Sequence, residues 1–235
     1  MLSELCYGVD GRDILKNVSF RTEDMRVGIV GRNGSGKSTL ARLLAGLISP
    51  VSGNVRINGN DLAKDRKTAL NEIGILFQNP DHQIIFPTVL EEVSFGLTQQ
   101  GMSGEQAEDA ARATLERFGK SHWAEASIAG LSQGQKHLVC LMAVAAMAPR
   151  VLILDEPFAG LDIPTKLQLR RYLEQYSGTL VHITHDPDDL HGYQCLVWLD
   201  KGMVVQKGAD TEVLDAYVGA MKQLGEQDDI SDLSD

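Results

Sequence analysis

The chain has 235 residues, the size of one domain with room for an inserted subdomain, and its net charge of −10 opposes a role in binding nucleic acid. Cys6, Cys140 and Cys195 have neither zinc-site nor redox-pair spacing. The longest apolar run, residues 138–148, is too short to span a bilayer, which takes about 20 residues. We therefore expect a globular protein that does not itself cross a membrane.

The first part of the chain predicts short strands around a glycine-rich loop. A turn at residues 8–13 separates the first two strands, and an apolar strand then runs directly into Gly31. A helix is expected over residues 37–47, because Pro50 and Gly53 follow it. The predicted strands in this part are residues 2–7, 14–20, 25–30, 54–60 and 73–78.

The middle of the chain is predicted to be helical. Residues 88–97 and 104–119 have helical patterns, with Ser103 or Gly104 as the N-cap of the second helix, and residues 138–148 predict a buried helix. Strands and helices then alternate at 151–156, 164–176, 179–185, 195–200 and 210–224. This alternation predicts a mainly parallel α/β sheet with a helical subdomain inserted over about 80–148.

The C-terminal segment differs in composition from the rest. Residues 225–235, GEQDDISDLSD, contain acidic residues, no basic ones and few large apolar ones. Such a composition favours a solvated chain. We predict an acidic, mobile tail over residues 221–235.

The stretch GRNGSGKST fits the phosphate-loop pattern G-x-x-x-x-G-K-[ST]. Glycines let the backbone wrap phosphates, and the helix that follows points its positive end at them. Lys37 is expected to neutralise the β- and γ-phosphates, and Ser38 to offer its hydroxyl to Mg²⁺. A simple glycine-rich turn is the alternative, but the flanking strand and helix favour a nucleotide site. The predicted site residues are Gly31, Arg32, Asn33, Gly34, Ser35, Gly36, Lys37, Ser38 and Thr39.

Three other predicted strands end in polar residues. VLILDEP ends in Asp155, a candidate Mg²⁺ partner, and Glu156, a candidate to polarise the attacking water. Gln78 could ligate Mg²⁺ through its carbonyl oxygen, and His185 could donate to a γ-phosphate oxygen. His182 should lie on the opposite face of its strand and is interpreted as structural. Alone, each of these residues could simply cap its strand, but ligands of α/β sheets bind at this edge.

Together these motifs resemble the ATP-binding cassette ATPases. The Walker A loop, the Q-loop at Gln78, the signature LSQGQ, Walker B, the D-loop AGLD ending in Asp162 and the switch His185 occur in the family's order. Tyr7 lies where the family places an aromatic residue that stacks on adenine, although it could equally belong to the core. The resemblance implies an ATPase domain over residues 1–220 with an antiparallel N-terminal β part. It also implies ATP as ligand and Mg²⁺ held by Ser38, Gln78 and Asp155.

The resemblance also implies a dimer. In this family two cassettes pack head to tail, and the signature of one closes on the ATP of the other. Ser132, Gly134 and Gln135 would therefore contact a partner's ATP, in a homodimer or a heterodimer with a related ATPase. Gln133 departs from the commoner LSGGQ, and it would be strained if its position required a positive φ.

A narrower resemblance lies in QNPDHQ followed by PTVLEEVSFG, which is similar to ATPases of energy-coupling factor importers. These ATPases act at the cytoplasmic face of the cell membrane with a membrane coupling protein and a substrate-binding membrane subunit. Gln83, Phe86 and Pro87 are candidates for the coupling surface, or else they cover the subdomain's own core. Biotin importers are the most similar type, followed by cobalt and nickel importers.

A soluble non-transport cassette ATPase remains an alternative, disfavoured by the single cassette, the absence of heptads and the acidity. A small-molecule kinase would not explain the signature.

Overall fold

The computed structural model describes residues 1–62, 64 and 71–226. These residues form two β-sheets, with several helices inserted between two neighbouring strands of the larger sheet. The strands are β1 Leu2–Val9, β2 Arg12–Phe20, β3 Arg26–Val30, β4 Ser52–Ile57, β5 Asn60–Asp61, β6 Ile73–Leu76, β7 Val151–Asp155, β8 Thr179–Thr184, β9 Cys195–Asp200 and β10 Met203–Gly208. The helices are α1 Lys37–Leu44, α2 Val89–Gln99, α3 Gly104–Arg117, α4 Gln133–Ala146, α5 Ile163–Glu174 and α6 Asp210–Glu226.

The larger sheet has six strands in the order β10-β9-β3-β8-β7-β6. All its neighbouring pairs are parallel except β10 and β9, which are antiparallel. The mainly parallel core sheet is therefore confirmed. Since parallel strands end at the same edge, the residues that follow β3, β6, β7 and β8 meet there.

Both faces of this sheet are buried, as expected for parallel strands. On β7, Ile153 belongs to the apolar core that contains Leu40 of α1. Its neighbour Leu154 belongs to the opposite core, which contains Met142 of α4. Successive residues of a strand point to opposite faces, so the apolar sequence of β7 stabilises two layers at once. This packing fixes the end of β7, where the predicted carboxylates begin.

The smaller sheet is antiparallel, with the strand order β2-β1-β4-β5. Leu5 and Leu15 are fully buried in it and pack into the same core as α1. The predicted antiparallel N-terminal part is confirmed, and it lies beside the start of α1.

Helices α2, α3 and α4 lie between β6 and β7. Each begins with a capping box in which the N-cap hydroxyl and the side chain three residues later exchange hydrogen bonds with the backbone. The N-caps are Thr88, Ser103 and Ser132, so Ser103 rather than Gly104 caps α3. Three short 3₁₀ turns, Pro80–His82, Ser121–Trp123 and Ile128–Gly130, connect this part of the chain.

Several boundaries differ from the sequence prediction. Helix α1 ends at Leu44, before a left-handed Gly46, and β10 lies where no strand is predicted. Helix α6 continues to Glu226 and so reaches into the predicted tail, whose remaining residues 227–235 lie outside the described residues. Among the described residues, no helix combines the length and apolar character needed to span a bilayer.

Candidate functional site

The phosphate loop joins the end of β3 to the start of α1. At Gly31 an added Cβ would lie 2.2 Å from the carbonyl oxygen of Leu199, and Gly36 has φ 99, so both positions need glycine. Gly36 is also the N-cap of α1. The bare backbone and the helix N-terminus together form an anion-binding arrangement.

Lys37 is a buried cation that is satisfied by its own loop. Its side chain is 6% exposed, and Nζ donates to the carbonyl oxygens of Gly31 at 2.8 Å and Arg32 at 2.9 Å. Nζ also lies 3.6 Å from Oε1 of Glu156. Burial lowers the pKa of Lys37, while the carboxylates of Glu156 and Asp155 act in the opposite direction. A phosphate oxygen would offer this ammonium group a charged acceptor.

The residues fit both phosphate and Mg²⁺. The Ser35 hydroxyl is buried without a hydrogen-bond partner among the described residues, which suits an added acceptor. Ser38 Oγ donates to Oδ1 of Asp155 at 3.1 Å, so a hydroxyl and a carboxylate lie side by side. Burial raises the pKa of Asp155, and the Ser38 hydrogen bond opposes that shift. Oxygen donors of this type are the ligands that Mg²⁺ prefers.

Glu156 follows β7 in a left-handed conformation, with φ 52, which is uncommon for glutamate. Its N–H donates to the carbonyl oxygen of Ile183 at 2.8 Å. Its Oε2 lies 2.8 Å from Nδ1 of His185 and accepts from the Thr184 hydroxyl at 3.3 Å. The glutamate is therefore buried between Lys37 on one oxygen and His185 on the other.

The other predicted nucleotide residues lie around this centre. Gln78 is exposed just beyond the end of β6, at the same sheet edge. Tyr7 is half-buried on β1 opposite Leu15, whose side chain approaches Gly36. Tyr7 therefore lies on the strand next to β2, and β2 itself lies against the phosphate loop through Leu15. Arg32, Asn33 and Gly34 are exposed on the loop, and Thr39 is half-buried.

The signature loop is exposed and begins α4. Ser132 Oγ accepts from the N–H of Gln135 at 3.3 Å, and Gln135 Oε1 accepts from the N–H of Ser132 at 2.8 Å. A Cβ added at Gly134 would lie 2.7 Å from Cγ2 of Thr165, so this glycine allows close packing on α5. Gln133 is the first residue of α4, and its φ is not positive. The backbone strain that a glutamine at this position of the signature could have had is therefore absent.

Asp162 of the D-loop caps α5 beside the signature. Its Oδ1 accepts from the N–H of Thr165 at 2.9 Å, and hydrogen bonds from Thr165 hold the pKa of Asp162 below its ordinary value. Because Thr165 also contacts Gly134, the signature and the D-loop form one continuous surface. The adjacent Ile163 is 75% exposed, so an apolar side chain extends this surface.

The candidate coupling surface is fixed by a buried carboxylate. Oε2 of Glu92, which is 6% exposed, accepts from the N–H groups of Ile85 and Phe86, both at 2.9 Å. Gln83 turns back and accepts from the N–H of Phe77 at 3.2 Å. The Phe86 ring packs on Phe95 with centroids 5.0 Å apart, so Gln83 and Phe86 are only half-exposed.

Pro87 is exposed, and the most exposed apolar side chain of this segment is Ile85, at 69%. Sequence reasoning missed Ile85. Ile84 packs against the core whereas Ile85 is exposed, and the sequence alone does not show which of these two adjacent isoleucines faces solvent.

Three residues that were not predicted hold the site residues Ser35, Glu156 and His185 through direct hydrogen bonds. Gly202 donates its N–H to the carbonyl oxygen of Ser35 at 3.1 Å, Thr184 holds Glu156, and the Tyr217 hydroxyl donates to the carbonyl oxygen of His185 at 3.2 Å. Gly202 and Tyr217 are remote in sequence, so no local pattern indicates them. Thr184 directly precedes His185 and could have been found.

The arrangement suits transfer of a phosphoryl group to water. An anion-binding loop, a buried lysine, an oxygen pair suited to Mg²⁺ and a glutamate held by a histidine meet at one sheet edge. Phosphoryl transfer relies mainly on positioning and on charge stabilisation, which these groups supply.

Comparisons with known proteins agree with this chemistry. A family model described as ABC transporter matches residues 15–159. The chain is 44% identical over 215 residues to the biotin transport ATP-binding protein BioM of Rhodobacter capsulatus, covering 92% of each chain. It is 38% identical over 213 residues to the energy-coupling factor transporter ATP-binding protein EcfA of Methanosphaera stadtmanae, covering 87% of this chain and 76% of the relative.

A solved structure shows the same architecture. The dimeric, post-hydrolysis ATP-binding cassette MJ0796, bound to ADP and Pi, matches with a TM-score of 0.78 and 26% identity. The match covers 88% of this chain and 97% of that chain.

Proposed function

The chain belongs to the ABC transporter family, and we propose that it is the ATP-hydrolysing subunit of an energy-coupling factor importer for a vitamin, biotin. The observation that carries the enzymatic part is the buried pair of Lys37 and Glu156 beside the phosphate loop, with the half-exposed His185 on the second oxygen of Glu156. The 44% identity to BioM over nearly the whole chain supports the cargo.

In the proposed mechanism the loop binds the phosphates before any chemistry occurs. Backbone N–H groups at the start of α1 and the Ser35 hydroxyl are donors for phosphate oxygens. Lys37 exchanges its bonds to the Gly31 and Arg32 carbonyls for bonds to phosphate. We propose that Tyr7 stacks on the adenine ring.

The metal site is proposed at Ser38 and Asp155, with Gln78 as a further oxygen donor. A bound Mg²⁺ would supply charge neutralisation of the β- and γ-phosphates. Asp155 is suited to this site because it is buried beside the Ser38 hydroxyl and so presents a fixed carboxylate oxygen.

Glu156 is proposed to orient the attacking water and accept its proton, and His185 to hold Glu156 in place. An ionised carboxylate is a pure acceptor, so Nδ1 of His185 donates to it. The other ring nitrogen, Nε2, then donates to a γ-phosphate oxygen when the ring carries both protons. Half of the His185 side chain is exposed, which leaves it reachable by the nucleotide.

We propose that each ATP is enclosed between two copies of the chain. Ser132, Gln135 and Asp162 are exposed, as residues that contact a partner's ATP must be. The dimeric state of the similar cassette MJ0796 supports this arrangement. ATP bound at both sites would stabilise the dimer, and hydrolysis would release it.

The proposed location is the cytoplasmic face of the cell membrane. No helix of the described residues is long and apolar enough to cross that membrane. We propose that the surface formed by Ile85, Phe86 and Pro87, with Gln83 behind it, contacts a membrane coupling protein, which works with a substrate-binding membrane subunit. Ile85 is the natural apolar anchor because it is exposed on a backbone held by Glu92.

The experiment that tests this function is affinity purification of the tagged protein from its own cells in mild detergent. Mass spectrometry would identify the copurifying polypeptides and any bound small molecule. The tagged Ile85→Asp variant is the control, because it should lose the membrane partners while still binding ATP.

A membrane coupling protein, a small integral membrane subunit and bound biotin are the expected result. A different bound molecule with the same membrane partners would overturn biotin as cargo but not the importer. Recovery of soluble partners alone would overturn the importer and leave the ATPase chemistry standing.

A further inference from the structure

One face of α4 packs against the segment that follows β6. Gln133, Lys136, His137 and Cys140 have the spacing i, i+3, i+4 and i+7, which places them on one side of a helix. All of them approach residues 78–82, named here the Q segment. The signature helix and the Q segment are therefore packed together along two helical turns.

Asp81 is the polar centre of this contact. Its Oδ2 accepts from Nε2 of Gln133 at 3.0 Å, and its Oδ1 lies 2.7 Å from Nζ of Lys136. Its own N–H donates to the side chain of Asn79 at 2.9 Å, which shapes the 3₁₀ turn Pro80–His82. The hydrogen bonds from Lys136 and Gln133 hold the pKa of Asp81 below its ordinary value, so it stays ionised.

The other two residues of this face of α4, His137 and Cys140, are buried. His137 is 2% exposed, with its ring among the backbone of Gln133 and Gln78, and burial lowers its pKa. Cys140 Sγ lies 4.0 Å from the carbonyl oxygen of Pro80. The contact therefore has two parts: the partly exposed hydrogen bonds of Asp81, and the buried packing of His137 and Cys140 against the Q segment.

We propose that Asp81 is a positioning residue that holds the signature loop in register with the Q segment. The Q segment begins at Gln78, at the nucleotide edge, and leads directly to the exposed surface at Ile85. A displacement of that surface would therefore move Ser132 and Gln135, which serve the partner's ATP. This proposal builds on the proposed function of the signature, and it gives Gln133 a role that a glycine could not fill.

The contact is suited to control rather than to stability. The side chains of Lys136 and Asp81 are 19% and 46% exposed, and ion pairs of this exposure add little to folding stability. The chain's own nucleotide-binding lysine and serine lie on α1, which follows β3, whereas Asp81 lies in the segment that follows β6, and no hydrogen bond or ion pair of the described residues joins Asp81 to α1. Loss of Asp81 is thus expected to weaken closure on a partner's ATP and to spare binding of the chain's own ATP.

The test compares Asp81→Ala with Glu125→Ala in the purified full-length protein. Glu125 forms an exposed ion pair with Arg112 at 2.9 Å in the same helical part and is the matched control. Three quantities are measured: ATP affinity of the monomer, kcat, and ATP-driven dimerisation in a Glu156→Gln background. We expect unchanged ATP affinity, but kcat and dimer affinity lowered about tenfold for Asp81→Ala, as for loss of a charged hydrogen bond. Glu125→Ala should match the wild type.

A double variant separates the contact from a general structural effect. Combining Asp81→Asn with Gln133→Glu exchanges the carboxylate and the amide, and the carboxylate introduced on α4 stays three residues from Lys136 on the same helix face. Each single substitution should lower kcat and dimer affinity, and the double variant should recover both. Gln133→Gly should reproduce part of the Asp81→Ala defect.

An additive loss in the double variant, or wild-type kcat and dimerisation in Asp81→Ala, overturns the inference. These assays use no membrane protein, so their outcome is separate from the identity of the cargo and of the membrane partner. A failed membrane copurification would leave the Asp81 result intact, and an inactive Asp81 contact would leave the importer proposal intact.

Discussion

Oε2 of Glu156 lies 2.8 Å from Nδ1 of His185, although the two residues are 29 positions apart. Glu156 follows β7 and His185 follows β8, and these neighbouring parallel strands end at the same level. The sheet therefore creates the pair, and the left-handed backbone of Glu156 places its carboxylate between His185 and Lys37.

Replacement of this carboxylate should trap the ATP-bound state. Glu156→Gln keeps the shape of the side chain but cannot accept a proton, so we expect ATP hydrolysis to fall about 100-fold or more. ATP affinity should persist, and an ATP-bound dimer should accumulate. Phosphate release and light scattering measure the two effects, with Glu125→Gln as control. Near-normal turnover in Glu156→Gln would remove this residue from its proposed role.

The signature loop can be blocked without touching the phosphate loop. Ser132→Arg should abolish ATP-driven dimerisation and hydrolysis while sparing ATP binding, because a long cation would fill the position proposed for a partner's phosphate. Ser103→Arg is the matched control, since Ser103 caps α3 with the same capping box, and loss of either cap costs about 1 kcal/mol. Dimerisation of Ser132→Arg, measured by light scattering, would contradict the assignment.

The Tyr217 hydroxyl should matter for turnover more than for binding. Tyr217→Phe leaves the carbonyl oxygen of His185 without its donor, and we expect kcat to fall about fivefold with little change in KM, the equivalent of about 1 kcal/mol. Tyr193→Phe is the control, because that hydroxyl lies 2.9 Å from Nδ1 of His182, which does not face the nucleotide. Steady-state kinetics of both variants decide the matter, and equal kcat losses would refute a specific effect on His185.

Acid should destabilise the fold through His182. Burial lowers the pKa of His182 to about 3, whereas the unfolded chain has a pKa near 6.5. Between these values the unfolded state binds the extra proton, so stability is lost as the pH falls, by up to about 1.4 kcal/mol per pH unit. Urea unfolding at pH 7, 6 and 5 measures this loss.

A His182→Phe variant should lose less stability on acidification than the wild type. His191→Gln is the control, because it removes a histidine whose side chain is 66% exposed. An equal pH dependence in His182→Phe and wild type would show that another group is responsible.

Sequence reasoning predicted the parts of the fold that depend on local pattern. The buried strand β7 and the loop before Lys37 follow from apolar runs and glycine positions, and the structure has both. The sequence pattern predicts strand ends that lie beyond the observed ones at Leu76, Asp155 and Thr184. Gln78, Glu156 and His185 follow apolar residues directly or closely, but they are no longer part of the hydrogen-bonded strands. Their departure from the strands places them at the nucleotide edge of the sheet.

The contacts that could not be predicted are those between distant segments. Nothing in the local sequence links Asp81 to Gln133, or Tyr217 to His185, because each pair meets only after the helices pack on the sheet. Such a contact forms only if the fold brings the two side chains within hydrogen-bond distance, and a local sequence pattern does not show which distant residues will be neighbours. The left-handed backbone of Glu156 is likewise uncommon for glutamate, and it accompanies a tertiary hydrogen bond from its N–H to the carbonyl oxygen of Ile183.

The most direct test of the account is complementation between two inactive variants, because the central claim is an ATP site shared by two copies. Lys37→Ala should lose its own phosphate site, and Ser132→Arg should lose the surface that it offers to a partner. In a mixed dimer, the intact loop of one copy meets the intact signature of the other. The account predicts that mixing the two proteins restores ATP hydrolysis well above the sum of the separate activities. No restoration, in a mixture shown to form mixed dimers, would contradict the shared site.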